Sequence, residues 1–184
     1  MKASIPVLAL LFLPASCSDT LAYPPLVEAA RRGDLSAVKS RLAAGEKVNQ
    51  EVEQGWTALH FAAGSNQTEI ILLLLKAGAE IDHPDDKGFT ALHFAAEHHF
   101  AASVDLLIRS GAAVNLPDSS GRTALHLVAA CGDRPIAAAL LRAGADPKAL
   151  SAAGMSPGAL AFAAGHVDLA NDLGFRNYPE SPLQ

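Results

Sequence analysis

The sequence predicts an all-α solenoid in which helix pairs stack side by side to share one core. Three observations predict it. The stretch Gly55-Trp56-Thr57-Ala58-Leu59-His60-Phe61-Ala62-Ala63 returns further along as Gly88-Phe89-Thr90-Ala91-Leu92-His93-Phe94-Ala95-Ala96. It returns again, at the same spacing, as Gly121-Arg122-Thr123-Ala124-Leu125-His126-Leu127-Val128-Ala129. A fixed period of this kind marks a stacked array, because so small a unit cannot bury its apolar face alone. Each copy is followed by a second apolar run, at 70–75, 104–108 and 136–141, closed by Gly78, Gly111 and Gly144. Finally, half of the 184 residues are apolar but only 5% are aromatic. Small residues at regular spacing suit closely packed helices better than a bulky globular core.

In chain order, residues 1–22 carry Lys2, an apolar run over 3–15 and then small residues, the layout of a secretory signal peptide. The run is shorter than the ~20 apolar residues of a membrane span and contains Pro6 and Pro14. Cleavage is expected after Ala22, or near Ala15-Ser16-Cys17. The latter faintly resembles a lipoprotein box, with Pro14 where leucine belongs. If the segment is retained, it is an inner-membrane anchor instead.

Residues 23–49 form a modified first unit, with Pro24 and Pro25 opening a helix and a second helix over about 35–44 closed by Gly45. Glu28 and Arg41 stand where later units have Phe61 and Leu74, as an N-terminal capping repeat requires. Residues 50–148 hold three full units. In each, a threonine (Thr57, Thr90, Thr123) is placed to cap the first helix. Polar, Gly- and Pro-rich turns join the units. Residues 149–176 are a degenerate C-terminal cap, in which Ser156-Pro157-Gly158-Ala159 replaces Thr-Ala-Leu-His, and 177–184 are a tail.

These motifs resemble the ankyrin repeat. Its Thr-Pro-Leu-His-x-Ala-Ala signature is matched at 57–63 and 90–96 and, with Val128 for an alanine, at 123–129; alanine replaces the proline at Ala58, Ala91 and Ala124. The resemblance implies helix-turn-helix units joined by β-hairpin loops, and function by protein binding. An array behind a signal sequence is similar to exported, periplasmic bacterial ankyrin-repeat proteins. That likeness implies a partner in the cell envelope: an antioxidant enzyme such as catalase that the protein assists, or a toxin that it neutralises as an immunity protein. A membrane-anchored cytoplasmic adaptor is the remaining reading.

Other chemistry finds little footing. The net charge of −5 and the lack of a clustered Lys/Arg face speak against a nucleic-acid surface. No nucleophile, base and oxyanion donor converge in the sequence, so the chain is read as a non-enzyme without cofactors. His60, His93 and His126 fall on the grid and are expected to bond their threonines and neighbouring backbone. His83, Glu97, His98 and His99 offer ligand types but no converging set, so no metal is expected. Of the two cysteines, Cys17 and Cys131, the second is expected at a surface turn. Asp85-Asp86 is expected to be solvated.

The partner site is expected on the hairpin tips and the adjoining ends of the first helices. The residue before each motif threonine, or its counterpart, is Trp56, Phe89, Arg122 and Met155. Trp and Arg often dominate binding energy, so these residues are expected to line an exposed ridge. Glu53, Lys87, Glu97 and His98 would form its polar rim.

Overall fold

The computed structural model describes residues 23–175; the expected signal segment and the tail at 177–184 lie outside the described residues. Within the described residues, ten α-helices run in five pairs: α1 (Pro25–Arg32) with α2 (Leu35–Ala43), α3 (Ala58–Ala63) with α4 (Thr68–Lys76), α5 (Ala91–Glu97) with α6 (Ala101–Arg109), α7 (Ala124–Cys131) with α8 (Arg134–Arg142), and α9 (Pro157–Ala163) with α10 (Val167–Asp172). First helices pack on first helices along the chain, and each also packs on its own second helix. The result is the all-α repeat solenoid that the recurring motif predicts.

Burial follows that stacking. Every residue of α3 is buried, because alanines and one leucine allow a unit to close on each side. The second helices turn one row inward: Leu74, Leu107 and Leu140, at the same grid position in successive units, are all 0% exposed. Leu107→Ala is expected to cost about 2–5 kcal/mol, the range for a buried leucine whose cavity only partly collapses. Urea unfolding measures it, and a loss of only about 0.5 kcal/mol, typical of surface changes, would contradict this packing.

The ends are treated differently. At the N-terminal end Glu28 pairs with Arg31 at 2.7 Å and also with Arg32, so α1 shows ion pairs instead of an apolar flank. In α9, Gly158 occupies the grid position of Leu59, Leu92 and Leu125. The missing volume is filled from outside: a Cβ added at Gly158 would stand 2.6 Å from the Cβ of Phe175, which folds back after α10. The cap therefore exchanges an internal leucine for a ring supplied later in the chain.

The joints between units depart from the expected β-hairpins. Among the described residues no strand forms. Each joint is a tight finger in which one N–H meets the carbonyl four positions on: Val52 to Trp56 (2.8 Å), Asp85 to Phe89 (2.8 Å), Asp118 to Arg122 (2.8 Å) and Ser151 to Met155 (3.0 Å). A single rung per finger is too little for a strand. Fingers hang on one another instead. Asp86 N–H donates to Gln54 O (2.9 Å), Ser119 to Lys87 (2.8 Å) and Ala152 to Ser120 (2.8 Å). Gly121 shows why glycine closes each finger. It sits at φ +73°, and a Cβ there would lie 2.7 Å from the Ala152 nitrogen, so both the left-handed backbone and the close approach exclude a side chain.

Candidate functional site

The motif histidines tie the frame together before any surface is available for a partner. In each full unit the threonine N–H donates to the Nδ1 of the motif histidine one turn on: Thr57 to His60 (3.0 Å), Thr90 to His93 (3.2 Å), Thr123 to His126 (3.0 Å). The threonine hydroxyl accepts the histidine's own backbone N–H, closing a capping box. With Nδ1 accepting, the proton belongs on Nε2. His60 Nε2 then donates to the carbonyls of His83 (3.0 Å) and Phe89 (3.1 Å), and His126 Nε2 to Met155 (3.1 Å). His93 Nε2 faces the carbonyls of Arg122 and Leu116 in looser geometry. His60 and His126 thus join their helices to the next finger. Burial pushes His60 down to about 4, and lowers His93 and His126 as well.

The expected ridge exists as a row but faces inward. Trp56 is 4% and Phe89 7% exposed; both belong to the core and not to an exposed anchor set. Their rings pack edge to face with those of the first helices. Trp56 meets Phe61 at 5.2 Å and Phe94 at 5.5 Å, and Phe89 meets Phe94 at 5.5 Å. Tyr23 extends the row at one end, 5.7 Å from Phe61. At the other end the Arg122 guanidinium lies 5.8 Å over Phe89. The reason is the motif's variable position after histidine. Phe61 and Phe94 fill it here, and rings of that size gain more by packing together than by facing water.

A buried carboxylate anchors this row, contrary to the solvated role expected of Asp85. Asp85 is 8% exposed. Its Oδ2 accepts from Trp56 Nε1 (3.0 Å) and its Oδ1 from the N–H groups of Lys87 (2.8 Å) and Phe89 (2.7 Å). Asp86 stays exposed. One unit later Asp118 binds the N–H groups of Ser120 and Arg122 and takes the Arg122 guanidinium at 2.7 Å. Ser151 Oγ accepts from Met155 N–H at 3.3 Å. Residues 85, 118 and 151 share one grid position, the sequence signal that marks them as frame.

Of the other expected site residues, Glu53, Lys87 and Glu97 are exposed, and Arg122, Met155 and His98 are half-buried. Glu53, Lys87, Arg122 and Met155 lie along the finger edge, one per finger, while Glu97 and His98 end α5. Cys131 is exposed at the end of α7. His83, Glu97, His98 and His99 do not converge: His83 pairs with Glu51 and Glu80, and His99 with Asp133. Among the described residues no three His, Cys, Asp or Glu side chains gather to hold a metal ion. Nor is any described helix long and apolar enough to cross a membrane.

The family model for ankyrin repeats matches the chain in three copies, over residues 7–85, 26–118 and 65–151. Together these spans take in most of the chain. It belongs to the ankyrin-repeat family. No curated protein matches it. As an ankyrin-repeat protein the chain carries a protein-interaction module, and the histidine boxes, glycine-closed fingers and aromatic row are the means by which its repeats hold one another.

Proposed function

We propose that this ankyrin-repeat protein is an exported, non-enzymatic scaffold that binds and modulates one protein of the bacterial cell envelope through its finger edge. The observation that supports this reading is where the frame stops. Backbone rungs, capping boxes and the aromatic row use up Trp56, Phe89, Asp85 and Asp118. They leave Glu53 and Lys87 exposed on the finger edge, with Arg122 and Met155 half-buried beside them and Arg122 also tied to Asp118. A polar set with one arginine suits an interface rim and a single anchor. Export rests on the layout of residues 1–22. The partner classes that fit an envelope location are an antioxidant enzyme such as catalase and a toxin.

The test begins with the partner recovered by cross-linking from envelope extract. Titration of the purified pair should show Arg122→Ala weakening binding by about 2 kcal/mol, the size of an interface anchor. Lys87→Glu should weaken it less and leave the midpoint of urea unfolding in place, whereas Arg122→Ala also loses the Asp118 pair, so its binding is compared at a temperature where both proteins are folded. Normal binding by both, with loss on Leu72→Asp in the exposed second-helix face, would place the site on the other side of the array.

A further inference from the structure

The seams between fingers are built alike, with one addition. At each seam an Asn or Asp side chain accepts a backbone N–H from the next unit: Asn49 Oδ1 from Glu80, Asp82 Oδ1 from Ala113 and Asn115 Oδ1 from Asp146, all at 2.9 Å. On the grid, Leu116 and Ala149 take the place of His83 in later units, and Pro84, Pro117 and Leu150 that of Glu51. The frame therefore needs no ionisable group at either position. At the first seam, however, His83 Nε2 lies 3.1 Å from Glu51 Oε1 in the preceding finger, and its Nδ1 lies 3.2 Å from Glu80 Oε2. Asn49 Nδ2 holds the other Glu80 oxygen at 3.4 Å. The imidazole is sheltered, while both glutamates are mostly exposed. One more titratable ring faces it: His60, at 6.1 Å, which donates to the His83 carbonyl.

A neutral imidazole has one N–H and one lone pair, so it can serve only one of two carboxylates and turns a lone pair on the other. The imidazolium donates to both. We propose that the first seam is a pH-responsive clamp: protonated His83 ties Glu51 of one finger to Glu80 of the next, and loss of the proton releases Glu51. Histidine changes charge between about pH 5 and 8. The tie is present while His83 carries its second proton and is lost with it. A positive His83 also disfavours a second charge on His60, so it reinforces the neutral state of the buried ring. The clamp sets the register of the fingers bearing Glu53 and Lys87; its link to binding rests on the function proposed above, but its test needs no partner.

That test is a double-mutant cycle on the full chain, with Glu51→Gln, His83→Gln and the pair, read by urea unfolding at pH 5.5 and 8.5. The two sites should couple at pH 5.5 by roughly a factor of two to five in the unfolding constant, the scale of exposed ion pairs, and not at pH 8.5. If His83→Gln does not fold, Glu51→Gln alone carries the test, because that glutamate is mostly exposed. It should then cost stability at pH 5.5 and none at pH 8.5. Equal coupling or equal cost at the two pH values, or none at pH 5.5, overturns the clamp.

Discussion

Trp56→Ala is expected to destabilise the array by roughly 3–5 kcal/mol, as deletion of a buried aromatic side chain does. The indole is 4% exposed and touches rings of two units, Phe61 in its own and Phe94 in the next. Its removal opens a cavity across a repeat junction. It also takes away the Nε1 donor at 3.0 Å from Asp85 Oδ2, leaving a buried carboxylate oxygen without that partner at about 1–3 kcal/mol more. Trp56→Phe separates the two effects, since it keeps much of the ring packing and loses the donor. Urea unfolding of both variants, compared with wild type at pH 8, gives the partition. A loss under about 0.5 kcal/mol for Trp56→Ala, as for surface changes, would mean that the indole is a surface anchor after all. The same result bears on binding experiments: any partner affinity lost in Trp56→Ala must first be corrected for unfolded protein.

That reversal marks the line between what the sequence shows and what it conceals. The frame is legible because each unit repeats it: Thr57 with His60, the leucine row at 74, 107 and 140, and the closing glycines can each be checked against two other copies. The orientation of Trp56 cannot be checked that way. Whether a ring at the rim turns in depends on Phe94, which lies in the neighbouring unit, and neither residue's own motif contains that contact. Phe61 and Phe94 do fall at the same motif position, and a ring there beside one at Trp56 or Phe89 was the available hint. Asp85 was concealed by its setting, since an Asp-Asp pair among turn residues reads as solvated. Its recurrence as Asp118, with Ser151 in the next unit, carried the opposite message. The finger edge is less legible still. It is built from positions that the frame leaves unconstrained, so nothing repeats there to compare.

The array should lose stability steadily as the pH falls from 7 to 5, before most carboxylates titrate. The sign follows from the three motif histidines. Burial holds His60 at about 4 in the folded protein, below its ordinary 6.5, and lowers His93 and His126 in the same direction. Above pH 6.5 these rings are neutral in both states, and their contribution is fully present. Below 6.5 the unfolded chain takes up protons that the folded chain refuses, so stability falls with pH. For His60 the fall ends near its folded value, after a total of about 3 kcal/mol, the gap between 6.5 and 4 at about 1.4 kcal/mol per pH unit. His93 and His126 add to the loss, which makes it a large share of the roughly 5–15 kcal/mol that holds a typical domain. The arginines beside Glu28 lower that carboxyl from 4.5, so its contribution is lost only at lower pH and leaves the window from 7 to 5 to the histidines. Released Nε2–H bonds to the fingers give the loss a structural consequence, since a proton on Nδ1 breaks the Thr57 bond that orients the ring. Urea midpoints at pH 8, 7, 6 and 5 measure the slope. His60→Gln should be less stable than wild type at pH 8 yet show a shallower decline. Stability that stays flat from pH 7 to 5, or a His60→Gln slope as steep as wild type, would show that these rings are not held neutral by the fold.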